Sequence, residues 1–433
     1  MSFTVEDATL LPASEARGFS LDLPAPGELH VLRLTGAAPA GARAVEVVYH
    51  GRPIQAARVH DGSWEALVGL VGLRPDAELE LHVVLDTDQR VPAATMRLHR
   101  EPLRSGFDAQ LQPLLLTSLG RSGSTWLMKM FAAHPEIVVM RHFPYESSPG
   151  KYWMHAMKVL SDPANLAQSA HPDSFHSDRW WSGSNPYYDP PALADEARAR
   201  WLAKEHVERL ARFFQESAEQ WYLAVAQSQQ QEAPRYFAEK HLWPNFLPML
   251  IRELYPGARE VFLVRDFRDV ACSALAADER RGFAGFGREP GTTEEQYVRD
   301  VVRRMSTDLR RSWEARSEGA HLVRYEEMTR RPHETLATLF SYLGVDAGDG
   351  TVERVLQLAA QDVPGLPGST FDPELVARHR DEGSPDDSIG RWRDRDDAFR
   401  EMLDDALGES LTAFGYERES GLASERAAAQ KSA

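Results

Sequence analysis

The stretch PLLLTSLGRSGSTWLMKMFAAHPEI, Pro113–Ile137, decides how the rest of the chain is read. An apolar run, LLLTSL, gives way to Gly120, Arg121, Ser122, Gly123, Ser124 and Thr125. Apolar residues then return at helical spacing, with Trp126, Leu127, Met130 and Phe131 on one face. That order predicts a short buried strand, a glycine-rich turn and a helix. Such a turn suits an anion. The first helical N–H groups lack intrahelical acceptors, the helix dipole is positive there, and glycine lets the backbone approach a ligand closely. The loop that holds nucleoside triphosphates runs G-x-x-x-x-G-K-[ST]. Aligned on Gly123, its first glycine falls on Ser118 and its lysine on Ser124. The cation comes earlier instead, as Arg121, with hydroxyls at Ser122, Ser124 and Thr125. The pattern predicts a site for a shorter anion, a phosphate carrying one further group. An ordinary turn with a surface arginine is the alternative that the motif alone leaves open.

Outward from this loop, strands alternate with helices. EVFLVRD (Glu260–Asp266) reads as a second buried strand, with a helix from about Arg268. HLVRYEEM, from His321, reads as a third strand. PHETLATLFSYLGV, from Pro332, reads as a helix with proline at its start and Gly344 near its end. The alternation predicts an α/β fold, a parallel sheet flanked by helices. The first ~105 residues differ. Leu79, Leu81, Val83 and Leu85 alternate with Glu78, Glu80 and His82, and Val45, Val47 and Tyr49 flank Glu46, with Gly36, Gly51, Gly62 and Pro75 as punctuation. Period two with frequent turns predicts a small antiparallel all-β sandwich over residues 1–105. It carries no acid–base cluster and reads as a packing or positioning module. Residues 150–235 read as an aromatic, helix-rich insertion, including Trp153, Trp180, Trp181, Tyr187, Tyr188, Trp201, Phe213, Phe214 and Trp221, expected to wall a pocket on the acceptor side, with several of them plain helix core. Residues 362–390 are rich in loop formers, and 421–433 read as a frayed tail.

Composition bounds the function. Of 433 residues, 42% are hydrophobic and 26% charged, enough for a buried core in a globular protein. A net charge of −16 argues against a generally basic nucleic-acid face, so any polyanionic ligand needs locally placed arginine or lysine. The single cysteine, Cys272, excludes an intramolecular disulfide and a multi-cysteine metal site, which fits a reducing cytoplasm. The first residues show no signal peptide, and no apolar run approaches the ~20 residues that a membrane span needs.

GRSGSTWL resembles the 5′-phosphosulfate loop of sulfotransferases that use 3′-phosphoadenosine 5′-phosphosulfate (PAPS). The resemblance implies a second element, a strand ending in arginine with a serine eight residues on that binds the 3′-phosphate. VFLVRDFRDVACSAL supplies both, as Arg265 and Ser273. An arginine can fork two N–H bonds onto a phosphate; taken alone, Arg265 would sooner pair with Asp266 or Asp269. VRYEEMTRRPHETLATLFSYLGV resembles the family's strand–helix segment, whose tyrosine, here Tyr325, lies near the adenine. SIGRWRD resembles the C-terminal Gly-x-Trp element that closes over the 3′-phosphate, through Arg391 with Arg393 beside it; the alternative is a solvated arginine cluster among Asp394, Asp396 and Asp397. The donor-binding set implied is Arg121, Ser122, Gly123, Ser124, Thr125, Trp126, Arg265, Ser273, Tyr325 and Arg391, within a PAPS-binding domain over 106–420. The resemblance runs from Pro113 to Tyr416, does not cover the β-sandwich and matches the aromatic insertion only weakly.

By analogy with phosphoryl transfer, sulfuryl transfer is mostly positioning and stabilisation of charge on the leaving phosphate. No metal is implied, and His171 and His176 read as loop histidines. Two residues compete as base for the acceptor hydroxyl. Glu146 lies twenty-five residues after Arg121, as in one branch of the family. His241, in EKHLWPN, stands where another branch has Lys-x-His, but here Lys240 and His241 are adjacent. Glu146 is the expected base, with His241 second and Lys240 steadying the bridging oxygen or the sulfuryl group. The expected acceptor is a hydroxyl of a small or medium-sized molecule. A kinase or nucleotide hydrolase is disfavoured by the missing loop lysine; a nucleotide- or partner-binding protein without catalysis is the other rival.

Overall fold

In the computed structural model the described residues are 2–12, 14–24, 27, 30–141, 145–163, 195–241, 247–361 and 385–418. Trp180, Trp181, Tyr187, Tyr188, His171, His176 and the tail 421–433 lie outside them. The chain folds as two compact units, each assembled from separate stretches of sequence. The first is Met1–Ala109, Pro149–Gln220 and Phe246–Pro256; the second is Gln110–Ser148, Trp221–Asn245 and Gly257–Ala433.

The first unit begins with seven strands: β1 (Phe3–Leu10), β2 (Val31–Ala37), β3 (Ala42–Tyr49), β4 (Arg52–Arg58), β5 (Ser63–Gly69), β6 (Asp76–Leu85) and β7 (Arg90–Arg100). They form an antiparallel sheet in the order β1-β7-β6-β3-β4 and a β2-β5 ribbon. The period-two reading of β6 holds: Leu79, Leu81 and Val83 are wholly buried and share one core with Leu32, Leu34, Ala66 and Val68 of the ribbon. His50 and Gly51 both have positive φ, 50° and 72°, as the two-residue turn joining β3 to β4 requires. β7 ends in a wholly buried Arg100. Its guanidinium donates to both carboxylate oxygens of Glu253, 2.6 Å each, on the helix Leu247–Leu254, and to the Leu73 carbonyl. Trp153 of the helix Pro149–Ser161 packs 5.7 Å from Phe214, so these two insertion aromatics serve helix packing.

The second unit is built on a parallel sheet of β8 (Gln112–Ser118), β9 (Ile137–Val138), β10 (Tyr236–His241), β11 (Arg259–Val264) and β12 (Ala320–Arg324), in the order β12-β11-β8-β10-β9. Both faces of β11 are covered. Val261 and Leu263 enter one core with the helices Ser124–Ala133 and Pro332–Leu343; Phe262 and Val264 enter another with Phe267–Arg281 and Asp397–Ala413. Such strands read as continuous apolar runs, which is why β8 and β11 stand out in the sequence. At the foot of β11 the wholly buried Glu260 is held by Arg316 at 3.0 Å and by the Thr117 hydroxyl at 2.6 Å. Gly344 ends the proline-started helix with φ of 68°.

Two details differ from the sequence reading. The third strand stops at Arg324, and Tyr325 opens the helix Tyr325–Arg330. And YFAEKH is itself a strand, β10, although its last three residues are Glu239, Lys240 and His241, all buried.

Candidate active site

β8 and β11 are hydrogen-bonded neighbours running the same way, with Leu263 opposite Ser118. Their carboxyl ends therefore open on one edge of the sheet. In parallel α/β sheets this edge is where ligands are held. Beyond β8 the chain turns through Arg121 and Gly123, both left-handed, with φ of 67° and 86°. The first bonds of the helix Ser124–Ala133 are donated by Trp126 and Leu127 to the Gly123 carbonyl, so earlier N–H groups face out from the helix start. Gly123 is required twice over. Its φ disfavours a side chain, and a Cβ there would lie 2.5 Å from the Tyr325 ring. Ser122 is wholly buried and its hydroxyl has no partner among the described residues.

Arg265 follows directly on β11 and is almost fully buried. It is bonded to neither Asp266 nor Asp269. Its guanidinium donates to the Arg121 carbonyl at 3.0 Å and to the Ser388 carbonyl, and lies 4.7 Å from the centre of the Tyr325 ring. Asp266 instead caps the helix Phe267–Arg281 and pairs with Arg268. Ser273, wholly buried on that helix, accepts from Arg121 Nε at 3.1 Å. The structure thus joins Arg121, Arg265 and Ser273 through direct contacts. Tyr325 completes the group: its hydroxyl bonds Ser388 Oγ at 3.0 Å, and its ring meets Trp126 edge-on at 6.5 Å.

Arg391 lies in the short turn Arg391–Asp394, with Nε on the Asp387 carbonyl at 3.0 Å. It makes no direct bond to Arg265 or Ser273 among the described residues. Arg393 is exposed and folds over Trp392, 4.8 Å from its ring centre. The residues that hold this segment are ones the sequence reading missed. Ser388 meets Arg265 through its carbonyl and Tyr325 through its hydroxyl, and only its place in SIGRWRD could have flagged it. Asp269 accepts from the N–H groups of Gly390 at 2.7 Å and Trp392 at 3.2 Å. Burial pushes its carboxyl up to about 6, against the pull of those two N–H groups.

On the other side of β8, β10 brings up Lys240. Its Nζ donates to Thr125 Oγ1 at 3.0 Å and lies 3.3 Å from Glu146 Oε1. The pair is asymmetric, the lysine side chain 2% exposed and the carboxylate 41%. Burial lowers the lysine's pKa, and Glu146 restores part of it. The sequence-expected base and the lysine therefore meet at the start of the loop helix. His241 does not share their face. Tyr236 and Ala238 join the core of the loop helix, whereas Phe237 stacks on Tyr222 and Glu239 accepts from the Tyr222 hydroxyl at 2.5 Å. Strand alternation puts Lys240 with the former set and His241 with the latter.

A family model described as the sulfotransferase family matches residues 113–349. The chain belongs to the sulfotransferase family. No curated protein sequence matches it. Among solved structures it is similar to the sulfotransferase domain of the Synechococcus PCC 7002 olefin synthase (17% identity over 72% of this chain and 97% of that one, TM-score 0.38). It is also similar to mouse sulfotransferase SULT7A1 complexed with PAP (14%, 76% and 92%, 0.39). A third is retinol dehydratase in complex with androsterone and inactive cofactor PAP (13%, 81% and 94%, 0.34). Likeness at this level adds no weight to the family match, which covers both arginine-ended strands.

Proposed function

We propose that this sulfotransferase moves the sulfuryl group of PAPS to a hydroxyl of a small or medium-sized acceptor. The observation that carries the reading is the pairing of two parallel strand ends, each followed by an arginine, with Arg121 in contact with both Arg265 and Ser273. One doubly phosphorylated nucleotide fits that arrangement: the glycine loop takes the 5′-phosphosulfate and the Arg265–Ser273 side takes the 3′-phosphate. In this reading residues 106–420 are the donor-binding domain and 1–105 an accessory β-domain.

The chemistry follows from charge. The acceptor oxygen attacks sulfur, the bond from sulfur to the bridging phosphate oxygen breaks, and its electron pair stays on the departing 5′-phosphate. The loop N–H groups, Arg121 and Lys240 stabilise that growing charge. Glu146, beside Lys240 and open to solvent, takes the acceptor's proton. The contact between Lys240 and Thr125 fixes the ammonium at the loop whichever acceptor is bound.

The test is a screen of hydroxylated metabolites with PAPS supplied, read by mass spectrometry for the gain of one SO3. Transfer to any alcohol or phenol supports the reading. Tight binding of adenosine 3′,5′-bisphosphate with no transfer would reduce the protein to a nucleotide binder.

A further inference from the structure

The helix Phe267–Arg281 does more than carry Ser273. Its first turn grips two residues of the C-terminal segment, Gly390 and Trp392. Asp269, wholly enclosed, gives one carboxylate oxygen to Gly390 N–H at 2.7 Å and the other to Trp392 N–H at 3.2 Å. Arg268 lies 3.8 Å from the centre of the Trp392 ring and is itself fixed by Asp266 and Asp404. Gly390 takes φ of 83°, so the chain bends sharply at the gripped point. Two residues before that bend, Ser388 holds Arg265 with its carbonyl and Tyr325 with its hydroxyl. Asp269 and Ser273 are four residues apart, on one face of one helix. A bidentate acceptor is what the turn needs. The two N–H groups, two residues apart, are each met by their own oxygen, and aspartate is the shortest side chain that offers two. Burying a carboxylate is costly unless such bonds are made, and here both oxygens are used.

We propose that Asp269 is a positioning residue that sets the Ser388–Trp392 backbone against Arg265 and so determines the preference for a nucleotide bearing a 3′-phosphate. The proposal rests on the donor site read above. Asp269 acts through the segment and touches no reacting atom. Asparagine at this position keeps one acceptor but turns an NH2 toward the second N–H, which loosens the turn while sparing the glycine loop on β8.

The experiment measures binding of adenosine 3′,5′-bisphosphate and adenosine 5′-monophosphate by calorimetry to the wild-type protein and Asp269→Asn, with circular dichroism as the check on folding. The wild-type protein should prefer the bisphosphate. In Asp269→Asn that preference should shrink on the order of tenfold, with the monophosphate bound within about twofold of wild type. Donor KM should rise while kcat stays within a few-fold. A folded Asp269→Asn that keeps the full preference overturns the proposal and leaves the donor site standing. A wild-type protein with no preference overturns the donor site, and the proposal with it. Should Asp269→Asn not fold, Gly390→Ala strains the same bend from the other side and must show the same selective loss, or the proposal fails.

Discussion

β10 and β11 flank β8 on opposite sides, and each delivers a cation near the glycine loop, yet they are built differently. β11 is apolar from Val261 to Val264 and places Arg265 one residue beyond its end. β10 carries Glu239, Lys240 and His241 inside its last three positions, all enclosed. The arginine outside its strand reaches two carbonyls and an aromatic face, contacts that hold a planar fork in one orientation. The lysine inside its strand reaches a loop hydroxyl and a carboxylate. In the proposed function the β11 side grips the nucleotide and the β10 side serves the reacting end. That division can be broken experimentally.

The largest effect is expected on the β10 side. Glu146→Gln should lower kcat by roughly 10²–10⁴-fold while bisphosphate affinity stays near wild type, since a general base contributes about that much. If that variant keeps full turnover and His241→Ala abolishes it, the base sits on the opposite face of β10 and the two candidates exchange roles. Next comes a purely structural cation. Arg316→Met strands Glu260 at the foot of β11 and should cost about 3–5 kcal/mol of stability in urea unfolding, the usual penalty for an orphaned buried charge. A loss under about 1 kcal/mol would mean that Thr117 and the carboxylate's other contacts satisfy it without Arg316. Arg265→Ala should weaken the bisphosphate by about 2–3 kcal/mol in calorimetry, and unchanged affinity would remove β11 from the donor site.

The smallest effect is one of pH. The Asp269 carboxyl stands at about 6 in the folded chain, against roughly 3.9 when unfolded. Between those values the folded state holds the extra proton. This carboxyl therefore favours folding as pH falls through 6 and disfavours it as pH rises, the reverse of an ion-paired aspartate. Comparing wild type with Asp269→Asn by urea unfolding at about pH 4.5 and about pH 7.5, the difference should move toward wild type at the lower pH, by no more than about 2 kcal/mol. Movement the other way would show that the two N–H bonds outweigh burial.

The same contrast explains what the sequence disclosed. β8 and β11 were legible because strands covered on both faces carry continuous apolar runs, here Leu114–Leu116 and Val261–Val264. The loop was legible because a left-handed Gly123 against Tyr325 tolerates no side chain, and Arg265–Ser273 because their spacing matches a known pattern. β10 was hidden: a strand ending in Glu-Lys-His looks like surface until Tyr222, Thr125 and Glu146 are seen to meet it. Asp269 was hidden for a related reason. Its partners are backbone N–H groups about 120 residues away, and a backbone partner leaves no trace in residue type. Tyr325 was read on the third strand, whereas β12 ends at Arg324 and Tyr325 opens the next helix.

Arg100 and Glu253 stand 153 positions apart in the chain. A ribosome needs roughly 8–30 s to cover that distance. Throughout that interval the nascent β-strands exist with a guanidinium whose carboxylate has not yet been synthesised. A shortened transcript that stops before Glu253 would therefore leave Arg100 without its carboxylate and the β-strands without the helix that carries it, and the strands could not settle as they do here. Expression of residues 1–109 alone should yield a weakly folded product, however self-sufficient its seven strands look on paper.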